Sequence, residues 1–122
     1  MRRNVRGVIC VSVIGGDQHQ RASVAVAADW FAGIAMPDTE QVVVRIEIKR
    51  TTDSWGWVSK GGGSLYFMVL DPRQTLRSLL QTLMHELLHV RQYERGSWRG
   101  DGETEAASAE VLADAVWLAG LI

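Results

Sequence analysis

Two histidines bracket a glutamate in the run His85-Glu86-Leu87-Leu88-His89. On a helix, positions four apart lie about 40° apart around the axis and about 6 Å along it, so imidazoles at that spacing can point at one ion. Glu86 is displaced to the side, where its carboxylate stays near the ion without binding it and can take a proton from an ion-bound water. The spacing therefore predicts hydrolysis: His85 and His89 as ligands of one catalytic Zn2+, which acts as a Lewis acid and lowers the pKa of its water, and Glu86 as the general base. The plain alternative is a pair of incidental histidines on a surface helix. Position argues for chemistry, because the run lies late in a long amphipathic helix, directly before a turn and a second helix.

A catalytic zinc needs a third protein ligand and an open fourth position. No histidine follows His89, so the three-histidine arrangement is excluded and the ligand must be an acid. Glu103, Glu105, Glu110 and Asp114 are the candidates on the last helix. Glu110 and Asp114 lie one helical turn apart, so with Glu110 on zinc, Asp114 can accept a hydrogen bond from the far nitrogen of a ligating histidine. Glu105 is the alternative ligand, with Ala109 rather than an acid one turn later. As ordinary structure, these acids form a solvated helix face with a negative first turn.

The pairing of His85-Glu86-Leu87-Leu88-His89 with Glu110-Val111-Leu112-Ala113-Asp114 resembles the gluzincins, the thermolysin-like metallopeptidases. In these a Glu follows HExxH by about twenty residues on a second helix, with an Asp four positions beyond it. The likeness covers mainly residues 65 to 118, and the order of elements is similar to that of the minimal, single-domain members. It implies a zincin-like fold, a zinc-dependent endopeptidase and a protein or peptide substrate. The substrate would lie along a sheet edge at Trp55 to Val58, with a Tyr or His at the oxyanion; Tyr66, Tyr93 and His19 are available for that role. A second register resembles another HExxH group, the regulatory proteases that cleave phage-type repressors: Glu103-Thr104-Glu105-Ala106 matches their E-x-E-A run and makes Glu105 the ligand. A regulatory or non-catalytic domain that keeps zinc for structure has no use for a base at Glu86. A metal-free interaction protein is the remaining alternative.

The elements that must position these residues read as α+β: a small mixed sheet of about four strands packed against the active-site helix, a C-terminal glutamate helix and one further helix. Residues 5 to 14 form a Val/Ile-rich strand that stops at Gly15-Gly16. Asp17 caps a helix whose apolar positions Val24, Ala27, Ala28, Phe31, Ile34 and Ala35 run to Met36-Pro37-Asp38. From Gln41 to Lys49 the alternation of Val42, Val44, Ile46 and Ile48 with polar neighbours predicts a half-exposed strand. Trp55 to Val58 and Leu65 to Val69 flank Lys60-Gly61-Gly62-Gly63 as a hairpin with a flexible loop. Asp71-Pro72 begins the motif helix, with Asp71 as its cap, and Leu76, Leu79, Leu80, Leu83, Met84, Leu87 and Leu88 as its buried stripe. Gly96 ends it, and a last Ala-rich helix runs from Asp101 to about Ala119.

With 122 residues the chain is long enough for one domain with a real core and too short for two, so residues 1–122 form a single unit. A hydrophobic fraction of 47% with 22% charged residues of both signs excludes a disordered chain, and the net charge of -1 leaves no basic stripe for nucleic acid. Cys10 forms no internal disulfide and reads as a small core residue. The start superficially resembles a signal peptide, but its apolar run is short and is followed by the polar block Gly15 to Arg21. No run approaches the roughly 20 apolar residues that span a bilayer. The expected protein is soluble and cytoplasmic, with secretion as the open alternative, and has no membrane partner. Arg91, Arg95 and Arg99 read as solvated helix charges.

Overall fold

Alternating apolar residues on one side of a strand demand a cover, and two long amphipathic helices supply it. The computed structural model describes residues 9–39, 41–96 and 100–122. In chain order the elements are β1 (Ile9–Gly15), α1 (Gln18–Ala35), β2 (Val42–Ile48), β3 (Gly56–Lys60), β4 (Leu65–Leu70), α2 (Leu76–Arg95), α3 (Glu103–Ser108), a short 3-10 turn (Ala109–Val111) and α4 (Leu112–Leu118). This is an α+β fold with a mixed four-stranded sheet in the order β1-β2-β4-β3. β1 and β4 run parallel to the central β2, and β3 is antiparallel to β4 at one edge. The first three residues of the expected strand before Val8, and Val8 itself, lie outside the described residues, as does Arg99.

The period-2 pattern fixes which face is buried. Val42, Val44, Ile46 and Ile48 of β2 point inward with Tyr66, Met68 and Leu70 of β4, against Val24, Ala27, Ala28 and Phe31 of α1 and Leu79, Leu80, Leu83, Met84 and Leu87 of α2. Val116 and Ala113 of α4 close the same core. Cys10 faces the other side and is exposed, not buried as expected, because one-residue alternation puts it opposite to Ile9. Ile34 is likewise exposed, off the buried stripe of α1.

α1 begins as its sequence predicts, with a capping box: the Gln20 amide donates to the Asp17 carboxylate (2.7 Å) and the Asp17 amide to Gln20 Oε1 (3.0 Å). α2 begins later than expected. Its cap is Thr75, whose hydroxyl accepts from the Ser78 amide, because Asp71 is engaged elsewhere. The Asp71 side chain is fully buried and accepts from the Thr51 amide and hydroxyl and from the Arg73 amide and guanidinium. Gly96, with φ 66°, ends α2. The last helix is not continuous: α3 and α4 are joined through the 3-10 turn at Ala109–Val111. Among the described residues no helix is long and apolar enough to cross a membrane.

Candidate metal centre

α2 delivers His85, Glu86 and His89 from a rigid element buried along its opposite stripe. The chain then reverses after Gly96 and returns along α2 through α3 and α4, so that later acids meet earlier positions of α2. That antiparallel path assigns the acids. Glu103, at the first position of α3, meets both histidines: its two carboxylate oxygens stand 2.9 Å from His85 Nε2 and 3.0 Å from His89 Nε2. His85, His89 and Glu103 each offer a ligand atom, all within 4.8 Å of one another, and this group could hold a metal ion. Farther along, Glu110 meets the other side of the His85 ring, 3.0 Å from Nδ1. Farther still, Asp114 forms a two-pronged ion pair with Arg77 (2.9 Å for each contact), about two helical turns before His85.

The positions of three acids therefore differ from those expected. Glu110, expected as the metal ligand, stands behind His85 beside Nδ1, where Asp114 was expected. Asp114 lies too far toward the start of α2 to serve a histidine. Glu105, the alternative ligand, accepts instead from the amide of Gln92 (2.9 Å). The cause is the start of the helix. Asp101 accepts from the Glu103 amide, and Gly102 adopts φ 78°, which turns the chain so that Glu103, not an acid one or two turns later, sits over the histidines.

Gln92 is the residue that sequence reasoning passed over. It is buried, and its carbonyl oxygen stands 2.8 Å from His89 Nδ1 while its NH2 group donates to the Gly102 carbonyl (3.0 Å) and to Glu105. One side chain thus orients a histidine and clamps the turn that aims Glu103. Gly102 has no alternative here, since a Cβ on it would lie 2.6 Å from Gln92 Oε1. The signal was present as the spacing of three from His89, which puts Gln92 on the same helix face.

Each Nδ1 thus faces an acceptor, and a proton donated there would leave the Nε2 lone pair for a metal. Two imidazoles and a carboxylate form a donor set that could hold a metal ion. Glu86 is 8% exposed, and burial pushes its carboxyl pKa up against the opposing pull of the His89 and His85 rings. Burial disfavours a charged His85, but its hydrogen bonds to the Glu110 and Glu103 carboxylates outweigh it and the pKa is raised.

A groove of about 330 Å3 opens in front of these groups, between Gly56, Trp57 and Val58 of β3 and Glu86, His89, Tyr93 and Glu103. β3 is the edge strand, so its outer side has no strand partner, although the Gly56 carbonyl there accepts from the Ser54 hydroxyl (2.9 Å). Of the three oxyanion candidates, Tyr93 lines this groove. Tyr66 is buried, and its hydroxyl donates to Glu94 (2.5 Å), while His19 is exposed on the first turn of α1. Arg91 and Arg95 lie on α2, half-buried and exposed respectively, and neither lines the groove. No protein-family model matches this chain, and no curated protein or solved structure gives a significant match.

Proposed function

We propose that the chain is a zinc-dependent metallopeptidase with a zincin-like fold, in which His85, His89 and Glu103 hold one zinc ion and Glu86 is the general base. The observation that carries this reading is the convergence of both imidazole Nε2 atoms on one carboxylate, beside a buried glutamate and a groove bounded by a free strand edge. A purely structural site has no use for Glu86. When bound, zinc supplies a Lewis acid that polarises the scissile carbonyl and acidifies a water.

The residues do the rest. The outer edge of β3 binds an extended peptide through main-chain hydrogen bonds and so aligns its carbonyl with the site. Glu86 takes the proton of the attacking water and passes it to the leaving amine; its raised pKa suits both halves of that task. Glu110 and Gln92 keep the two rings in the tautomer and orientation that present Nε2.

Glu86→Gln tests the reading, since it keeps the shape and removes the base. Zinc should remain at one ion per chain by elemental analysis, while peptide cleavage falls by roughly 10²–10⁴-fold. Unchanged cleavage, or a purified protein unable to bind zinc, would refute it.

A further inference from the structure

Among the described residues helices cover one face of the sheet, and the other face is not uniformly polar. Trp57 is 43% exposed and Phe67 40% exposed on that open face, and with Val69 and Ile14 they line a concavity of about 600 Å3. Its size lies in the range of ligand-binding concavities, roughly 300–1,000 Å3. Trp57 belongs to both hollows: it lines the open-face concavity and the catalytic groove. Within the sheet, Trp57 pairs with Val69 and Ser59 with Phe67, so on the open side of β3 the small Ser59 leaves a gap walled by two aromatic rings. Ser59 and Trp57 lie on the edge strand, so the gap adjoins the edge of the sheet, while the concavity extends past Arg45, Glu47 and Lys49 to β1.

A peptide added to that edge continues the alternation of the sheet. Consecutive residues must face opposite sides, so every scissile bond has one flanking residue on the helix side, toward Glu86 and His89, and one on the open side. A strand residue paired with Trp57 or Ser59 puts its side chain on the face that Trp57 and Phe67 share, within reach of their rings. Resting on the peptidase reading above, we propose that Trp57 and Phe67 form a specificity subsite for a large apolar or aromatic side chain on the open-side flank of the scissile bond. The helix-side flank faces the groove of about 330 Å3 that holds Glu86, His89 and Tyr93.

The test uses the zinc-loaded full chain and a mixture of unstructured peptides, with cleavage sites read by mass spectrometry. Large apolar residues should be enriched at one fixed flank of the cleaved bond. A peptide with Phe there should exceed its Ala counterpart by roughly tenfold or more in kcat/KM. Trp57→Ala should reduce that ratio to about threefold or less, and Phe67→Ala, at a position farther from the edge, should reduce it less. Thermal melting and zinc content are measured for both variants, and either folded variant suffices for the comparison. Cleavage without a flank preference, or a preference that survives both substitutions, overturns the subsite and leaves the peptidase standing. Absence of cleavage in every peptide overturns the peptidase reading and the subsite with it.

Discussion

The two walls of the groove are held by different chemistry. On the helix wall, the groups that would meet metal and substrate are fixed by side-chain hydrogen bonds of two histidines with two carboxylates and a buried amide: His85 to Glu110 and Glu103, His89 to Gln92 and Glu103. The strand wall carries no histidine among the described residues. The segment leading into β3 is pinned by buried Asp71, which binds Thr51 and Arg73, by Gln74, whose NH2 group donates to the Trp55 carbonyl (3.1 Å), and by the Asp71 amide on that same carbonyl (2.9 Å). The helix wall can exchange carboxylate contacts for a metal, whereas the strand wall serves as a fixed rail. Substitutions on the first should act on zinc, and those on the second on stability and substrate binding.

The largest separation is expected within the helix wall. On the proposed site, Glu103→Ala would remove a ligand and should lower zinc affinity by more than ~100-fold, while Glu110→Gln would remove only the acceptor behind His85 and should cost about 10–100-fold. Titration with a competing chelator measures both. If Glu110→Gln proves the more damaging, the order of the acids along α2 is not the working one and Glu110 is the ligand. Gln92→Ala should match or exceed Glu110→Gln, at about 10–100-fold, because it frees His89 and also releases the Gly102 turn that aims Glu103.

How legible this was in the sequence follows from the range of each interaction. The sheet strands, α1 with its Asp17 cap, and the HExxH face of α2 depend on periods of 2 and 3.6 and on contacts three or four residues apart, and these were readable. Four outcomes were not. Which acid stands over both histidines depends on where a helix starts after a loop, and a glycine of positive φ at 102 places Glu103 there, among acids that spacing alone could not separate. Asp71 read as a helix cap because Pro follows it, but its partner, Thr51, lies 20 residues away. Asp114 stands at the right helical spacing from Glu110, yet Arg77 claims it across the helix pair. The exposure of Cys10 depends on which side of an apolar strand the helices cover, and the sequence of β1 is apolar on both sides.

The strand wall gives a smaller effect with a different signature. Asp71→Asn should leave zinc affinity unchanged, lower Tm by several degrees and raise KM, because the start of β3 loses its anchor. Its pH dependence follows from the Asp71 carboxyl, which the Arg73 hydrogen bonds hold well below the usual carboxylate range, against the opposing effect of burial and with help from Thr51. A carboxylate depressed in the folded state stabilises it fully above the unfolded-state pKa of about 3.9, and that contribution is lost as pH falls toward the folded value. The Tm gap between wild type and Asp71→Asn should therefore be constant from neutral pH to about 5 and narrow below about 4. A gap that opens instead between pH 6 and 7 would assign the effect to the histidines and dissolve the contrast between the walls.

The finest test sits where the walls touch. A Cβ on Gly56 would lie 2.6 Å from Thr82 Cγ2 and 2.9 Å from the Val69 carbonyl, so Gly56→Ala must push β3 away from α2. Overpacking of this kind costs about 1–3 kcal/mol. The Thr82→Ser exchange removes the nearer clash, since Cγ2 is lost and the hydroxyl that bonds Gln74 is kept. The Val69 carbonyl belongs to the backbone of β4 and cannot be trimmed, so the double variant should recover part of the lost stability and not all of it. Zinc affinity should stay at the wild-type level in both, because neither position touches the ligands. A Gly56→Ala protein with weakened zinc binding would mean that the rail and the metal wall move together, and that the edge of β3 takes part in shaping the ion site.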